Sequence, residues 1–389
     1  MRILFWGSLA VLLWVWVGYP LILLVASKFK RSSAGVYPSL KVYPYPSVSL
    51  IIPAHNEEEV MEAKLKNALL LNYPGKLDVI VALDGSTDHT AQIVAKFTQD
   101  VGTRYSVSLL NFTQRRGKMA TLNEAVRAVD SEIVALTDAN TIFEKDAIKR
   151  LIAHFRDPNV GCVCGVKSIT PKEGTGKCEN IYWRFENFLK DKESQIGSCV
   201  ADGSIYAVRR KLFPFPREDR IIMDDLAVSL GVINKNYRVI FEREAVAYED
   251  ASLTASAEFK RKIRILEGAL TAVISSSIRK VAFQIVSHKI LRWLGGFFML
   301  SLLISNLFIQ SASGRFYQIF LALQLCFYLL AVVGFGLTRV AVPILSGRKH
   351  KTPTLFYTPF YFCLTNVAQI VGFFKYIKGN KEPFWEKTR

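Results

Sequence analysis

Three short apolar runs end in side chains that could share one piece of chemistry. The run at 48–57 closes with Pro53-Ala54-His55-Asn56-Glu57, that at 78–88 with Asp84-Gly85-Ser86-Thr87-Asp88, and that at 132–140 with Thr137-Asp138-Ala139-Asn140. In an open, mostly parallel sheet such strand ends collect on one edge, where ligands bind. One edge is therefore expected to gather Glu57, Asp84, Asp88, Asp138 and Asn140. Two oxygen-bearing side chains one residue apart, as Asp138 and Asn140 are, can hold a hard divalent cation and leave positions for phosphate oxygens. The same spacing also opens turns and caps helices, and 84–88 reads equally as a turn before an N-capped helix, so neither stretch decides alone. The pair Asp224-Asp225 adds acid–base chemistry, because adjacent like charges in a partly closed cleft raise one pKa and strengthen that group as a base. Its plainer alternative is a helix start with carboxylates favoured by the dipole.

The elements that must position these groups follow from periodicity. From 48 to about 248 strands alternate with helical patterns near 57–71, 88–97, 118–129 and 145–155, which predicts an α/β doubly wound sheet covered on both faces. No G-x-G-x-x-G follows the first strand, which argues against a dinucleotide-binding domain. The helical stretch 178–196 carries Tyr182, Trp183, Phe185 and Phe188, a stripe read as core packing.

The chain has 389 residues, half of them hydrophobic (50%), enough for one sizeable core plus membrane segments. Its net charge of +17 is spread beside apolar runs, as expected next to anionic lipid, and nucleic acid is not an expected partner. The six cysteines show no zinc or disulfide spacing, which fits a reducing cytoplasmic side. Residues 3–26 are almost wholly apolar, include Trp14, Trp16 and Tyr19, and precede Lys28, Lys30 and Arg31. This predicts a spanning helix with the following domain in the cytoplasm. Residues 258–280 mix Lys260, Arg261, Lys262 and Arg264 with aliphatics, as a helix at the membrane surface does. Apolar stretches at 293–309, 317–335 and 356–374 are further spanning candidates. Three later crossings would put the basic tail outside, against the positive-inside tendency, which points to a re-entrant or interfacial position for one of the last two. The expected division is an N-terminal transmembrane helix (1–28), a linker (29–47), the α/β domain (48–255), interfacial helices (256–289), membrane segments (290–376) and a basic tail (377–389).

Taken together, these motifs resemble the family-two inverting glycosyltransferases with the GT-A fold, especially their membrane-embedded polysaccharide synthases. The resemblance covers about 48–268 and also rests on Gly117-Lys118-Met119-Ala120-Thr121-Leu122-Asn123 and Met223-Asp224-Asp225-Leu226. It implies a GT-A type mixed sheet in a cytoplasmic domain, with transmembrane helices at both ends, in the cell membrane. It also implies a cytoplasmic UDP-sugar donor, membrane lipids as surroundings, and a glycan or lipid-linked acceptor. On that resemblance Asp84 receives the uracil, Pro53, Ala54, Asn56 and Glu57 line the nucleotide pocket, and Lys118 meets phosphate or uridine. Asp138, with Asn140, holds Mg2+ or Mn2+ on the diphosphate. Asp225 is the general base with Asp224 beside it, and Asp202, Arg261 and Arg264 serve acceptor or diphosphate. Three departures stand out: Asn140 replaces an acid, Asp224 replaces a glutamate, and Arg261-Lys262-Ile263-Arg264-Ile265 stands where processive synthases carry Q-x-x-R-W. The last makes single transfer, as by a polyprenyl-phosphate glycosyltransferase, the enzyme alternative to chain extension. A non-catalytic nucleotide-sugar-binding partner of a synthase is the alternative from another class.

Overall fold

Every residue of β1 (Val48–Ala54) is buried, because the strand lies inside a sheet with helices on both faces. The computed structural model describes residues 1–29, 44–98, 105–170, 175–201, 203–216, 223–251, 254–309, 314–340 and 354–379. Most of the expected linker and the basic tail from 380 onward lie outside the described residues, as do 348–351 and Asp202.

Eight strands form one mixed sheet: β1, β2 (Leu77–Asp84), β3 (Ser106–Phe112), β4 (Ile133–Thr137), β5 (Ile142–Phe143), β6 (Val160–Thr170), β7 (Ile205–Arg209) and β8 (Arg238–Asp250). Their spatial order is β3-β2-β1-β4-β7-β6-β8-β5. The first four are mutually parallel, β7 runs antiparallel to both its neighbours, and β6 and β8 are parallel. The C-terminal ends of β1, β2, β4, β6 and β8 and the N-terminal end of β7 therefore open on one edge. The connecting helices fall where the apolar periodicity placed them: α2 (Glu58–Leu69), α3 (Thr90–Thr98), α4 (Lys118–Arg127) and α5 (Ala147–Ala153). After β6 come α6 (Thr175–Ile196) and, after β7, α7 (Asp224–Asn234).

Among the described residues three helices are long and apolar enough to cross a membrane: α1 (Arg2–Phe29), and two near the C-terminus within Arg315–Val340 and Thr354–Ile377. Between them and the sheet lie α8 (Ala255–Ser275), α9 (Arg279–Trp293), bent from α8 by 116°, and α10 (Gly295–Ile309). The last two helices are α11 (Arg315–Val340) and α12 (Thr354–Ile377). The stretch expected to span at 293–309 is thus a helix of 15 residues, roughly 22 Å long, below the length of an unaided span. It runs antiparallel to α1. Phe5 packs on Leu302 and Ile309, Ser8 bonds Ser301 at 3.0 Å, and Trp14 donates to Ser287 at 3.2 Å.

The sheet is tied to the membrane helices through α6. Glu179, Glu186 and Glu193 recur every seven residues, two helical turns, and so share one face. Glu186 is 0% exposed and meets Lys289 at 2.9 Å, His288 at 3.2 Å, and Arg292. Glu193 accepts from Tyr19 of α1 at 2.5 Å and lies 2.8 Å from His288. Burial would raise the Glu186 carboxyl, but Arg292, Lys289 and His288 hold it well below the usual range. Removing one partner of a buried ion pair leaves uncompensated charge, so Glu186→Ala should destabilise the chain by about 3–5 kcal/mol. Glu62→Ala, which breaks an exposed pair with Lys66, should leave stability close to that of the native chain. Denaturant midpoints of both variants in lipid nanodiscs check this; equal shifts would contradict it.

Candidate active site

The turn after β2 sets the site. Gly85 adopts φ +64, and a Cβ there would sit 2.7 Å from the Arg115 nitrogen, so this close crossing of two loops requires glycine. The crossing places the Asp84 carboxylate to accept from the Arg116 N–H at 2.6 Å and the Gly117 N–H at 2.9 Å. Those bonds fix the turn from which α4 starts, with Lys118 as its first residue. On the neighbouring loop Asn56 takes the left-handed conformation, φ 54, and its Oδ1 accepts from the Thr87 N–H at 2.7 Å. Asp88 accepts from the N–H groups of Glu58 and Thr90, and Glu57 is buried with its N–H donating to Thr90. Glu57 and Asp88 therefore brace the two loops, and Asp84 stands at the mouth they form.

Lys118 gathers the carboxylates. Its Nζ lies 2.7 Å from Asp138 Oδ1, at the end of β4, and 2.8 Å from Asp224 Oδ1, at the start of α7. Tyr206 on β7 donates to the other Asp224 oxygen at 2.7 Å. Asp225 is buried beside it, and its Oδ2 accepts from the Gly203 N–H at 2.5 Å. Both acids lie in the first turn of α7, so a helix-start role and a chemical role coexist. Burial would raise the Asp138 carboxyl, yet Lys118, then Lys167 and Lys64, hold it below its ordinary value. Burial would lower the Lys118 ammonium, and Asp138 and Asp224 instead push it up.

The structure thus brings Pro53, Ala54, Asn56, Asp84, Lys118, Asp138, Asn140, Asp224 and Asp225 to one sheet edge. Arg261 stands apart from this group: on α8, its side chain 12% exposed, it pairs with Glu258 at 2.7 Å and Glu179 at 2.5 Å. A guanidinium placed under the domain needs fixed counter-charge, and those two acids supply it. Arg264 is half-buried on the same helix. Periodicity did not reveal Tyr206, Lys64, Lys167 or Glu249. The last two stand at the ends of β6 and β8, and charged residues closing apolar runs were the available signal.

No group of three His, Cys, Asp or Glu that could hold a metal occurs among the described residues. One carboxylate and one amide oxygen, Asp138 and Asn140, fit a hard cation that takes its remaining oxygens from a diphosphate and water. The Lys118 ammonium at 2.7 Å from Asp138 shows that this position already favours positive charge.

The described residues thus combine a mixed sheet of the GT-A fold, an acid-lined edge and three helices long and apolar enough to cross a membrane. The profile described as "Glycosyl transferase family 2" matches residues 49–214, and "Glycosyl transferase family group 2" matches 133–338, over half the chain. The chain belongs to glycosyl transferase family 2. It is 26% identical over 244 residues to poly-β-1,6-N-acetyl-D-glucosamine synthase of Staphylococcus aureus, covering 61% of this chain and 58% of that one. The Staphylococcus epidermidis protein of that name is 27% identical over 227 residues, 57% of this chain and 54% of the relative. A mannosyltransferase from Pyrobaculum calidifontis, solved with GDP-Man and Mn2+, superposes with a TM-score of 0.69 over 97% of this chain and all (100%) of that one, at 21% identity.

Lys64 carries a prediction about pH. It is buried, donates to Thr137 Oγ1 at 2.8 Å and the Thr141 carbonyl at 2.6 Å, and burial pulls its pKa down to about 7 from 10.5. Between those values the unfolded chain holds a proton that the folded chain has released, so this lysine makes stability rise with pH across that window. Unfolding free energies at several pH values should show that rise in the native chain and a flatter profile in Lys64→Met. Identical slopes would contradict it.

Proposed function

We propose that the chain transfers a sugar, with inversion, from a cytoplasmic UDP-sugar to a growing glycan or a lipid-linked acceptor. The observation that carries this is the Asp138–Lys118–Asp224 bridge with Asp225 beside it, at the edge where Asp84 ends β2. The two backbone N–H groups on Asp84 leave lone pairs for the uracil N–H. Lys118 balances phosphate charge from the start of α4. Asp138 and Asn140 would hold Mg2+ or Mn2+, which supplies Lewis-acid stabilisation of the departing UDP. Asp225, oriented by the Gly203 N–H, takes the proton of the acceptor hydroxyl while that oxygen attacks the anomeric carbon from the face opposite UDP. The new C–O bond forms as the bond to the diphosphate oxygen breaks, which inverts the centre. The chain spans just over half the length of the staphylococcal relatives, 58% and 54%, whose name supports a polysaccharide product. The missing Q-x-x-R-W favours transfer of one sugar, with a polyprenyl phosphate as acceptor, as the second reading.

The reading also places the membrane. In it α1 and α11 cross, α10 crosses as a short span supported by its packing along α1, and α12, though long and apolar enough to span, lies at the cytoplasmic interface beside α8. Four contacts of α12 support this. Tyr361 donates to Glu258 at 3.0 Å, the Phe362 ring lies tilted 5.5 Å from that of Trp16, Gly372 lies against Ile263, and Phe373 is 5.4 Å from Phe297 at the start of α10. Three crossings then keep the basic 348–351 segment and the tail on the side of the sheet, as the positive-inside tendency demands.

Asp225→Asn keeps volume and hydrogen bonding but removes proton acceptance, so transfer should fall by roughly 10²–10⁴-fold while UDP affinity persists. UDP release from a panel of UDP-sugars, with product size, measures this and separates chain extension from single transfer. Near-normal turnover would refute the base, and silence of the native chain with every donor would favour a non-catalytic partner. For topology, Lys378→Cys should stay unlabelled by an impermeant thiol reagent on intact cells. Labelling from outside would overturn the interfacial placement of α12.

A further inference from the structure

The edge has a second half that the mechanism leaves unused. Lys167, near the end of β6, pairs with Glu249, near the end of β8. The aliphatic part of Lys167 lies 3.4 Å from where a Cβ on Gly203 would be, and Gly203 is the residue whose N–H holds Asp225. The Lys167 ammonium sits 4.8 Å over the ring of Trp183, and the Lys167 carbonyl accepts from Asn187 Nδ2 at 3.1 Å. Trp183 and Asn187 stand one turn apart on α6, on the same face.

Among the described residues the Trp183 indole N–H, on a residue 7% exposed, and Asn187 Oδ1 have no hydrogen-bond partner, while the Glu249 carboxylate meets only the Lys167 ammonium. A buried unsatisfied polar group costs about 1–3 kcal/mol, so native structures pair such atoms. One of these is a donor and the other an acceptor. A phosphate, which only accepts, would satisfy the indole and repel the amide oxygen. A sugar hydroxyl or an acetamido group offers both functions and satisfies both.

Resting on the glycosyl-transfer reading, we propose that Trp183, Asn187, Lys167 and Glu249 form a subsite for a sugar ring of the acceptor, one carrying a hydroxyl or acetamido group. The ring lies next to Asp225, on the side of the sheet opposite the nucleotide strands. Trp183 donates to the acceptor's carbonyl or hydroxyl oxygen, Asn187 Oδ1 accepts its N–H or O–H, and Glu249 takes a further hydroxyl proton donor. The subsite stands in a chain that lacks the Q-x-x-R-W segment.

The test uses the full chain in nanodiscs with UDP present, titrated with a β-1,6-linked N-acetylglucosamine oligosaccharide and, separately, a glucose oligosaccharide. Trp183→Phe, which keeps the ring but loses the N–H, and Asn187→Leu should each weaken binding of at least one oligosaccharide, and raise its KM, by roughly five- to thirty-fold. UDP affinity on the same samples should hold, and kcat should change far less than KM. Unchanged oligosaccharide affinity in variants that keep UDP affinity would overturn the subsite and assign the two atoms to water. Parallel loss of UDP and oligosaccharide affinity in both variants would also overturn it. A native chain that turns over a UDP-sugar yet binds neither oligosaccharide overturns the subsite and leaves glycosyl transfer standing. One that binds no UDP and releases none overturns the transfer reading itself.

Discussion

One ammonium held between two carboxylates, all of them largely withdrawn from solvent, organises this molecule. Lys118 begins α4, Asp138 follows β4 and Asp224 begins α7, so the bridge joins three elements far apart in the chain at the point where they converge. Two acids share one base here, and Asp225 stands next to them. Such a group is costly to bury and breaks sharply if one member is lost. It persists because each member has further support: Tyr206 on Asp224, the Asp84-fixed turn under Lys118, and the distant fields of Lys64 and Lys167 on Asp138.

The strand directions divide the edge. Four parallel strands present the loops around Asp84 and Asp138, built from backbone N–H groups, a left-handed Asn56 and an obligate Gly85. Beyond them β7 reverses, and its reversal brings Gly203 and Tyr206 to the two acids of α7. The charged ends of β6 and β8 complete that side. In the proposed transfer the acid pair therefore stands between the donor side and the acceptor side.

Helix α6 serves two masters from adjoining parts of one broad stripe, because Trp183 is four residues after Glu179 and three before Glu186. Glu179, Glu186 and Glu193 reach α8, α9 and α1, so that those helices and the sheet are locked by buried charge. Trp183 and Asn187, at the margin of the stripe, meet Lys167 on β6. The aromatic stripe read from the sequence as core packing is partly that: Phe185 and Phe188 join Tyr19 and Leu23, while Trp183 packs with Ile169 and Ala251 and its N–H has no partner among the described residues.

What the sequence determined by itself was the local part. Apolar runs ending in Asp84, Asp138 and Asn140 specified strands that end at a ligand edge, because period and terminating residues are local properties. The motif set specified the family and the GT-A sheet, and the apolar stretch at 2–29 a helix able to span a bilayer. What only the tertiary structure decided was partnership. Arg261 and Lys118 are both lysine-or-arginine positions near acids in sequence terms. Yet one is consumed by Glu179 and Glu258 under the domain, and the other bridges the site. Likewise the short α10 and the long α12 have apolar sequences of similar kind. Only the fold shows their partners: α1 for α10, and α8, α11 and Trp16 of α1 for α12. The physical reason is that a charge or an apolar face states what it must be paired with, but the pair is chosen by elements distant in sequence, and only the closed fold brings those together.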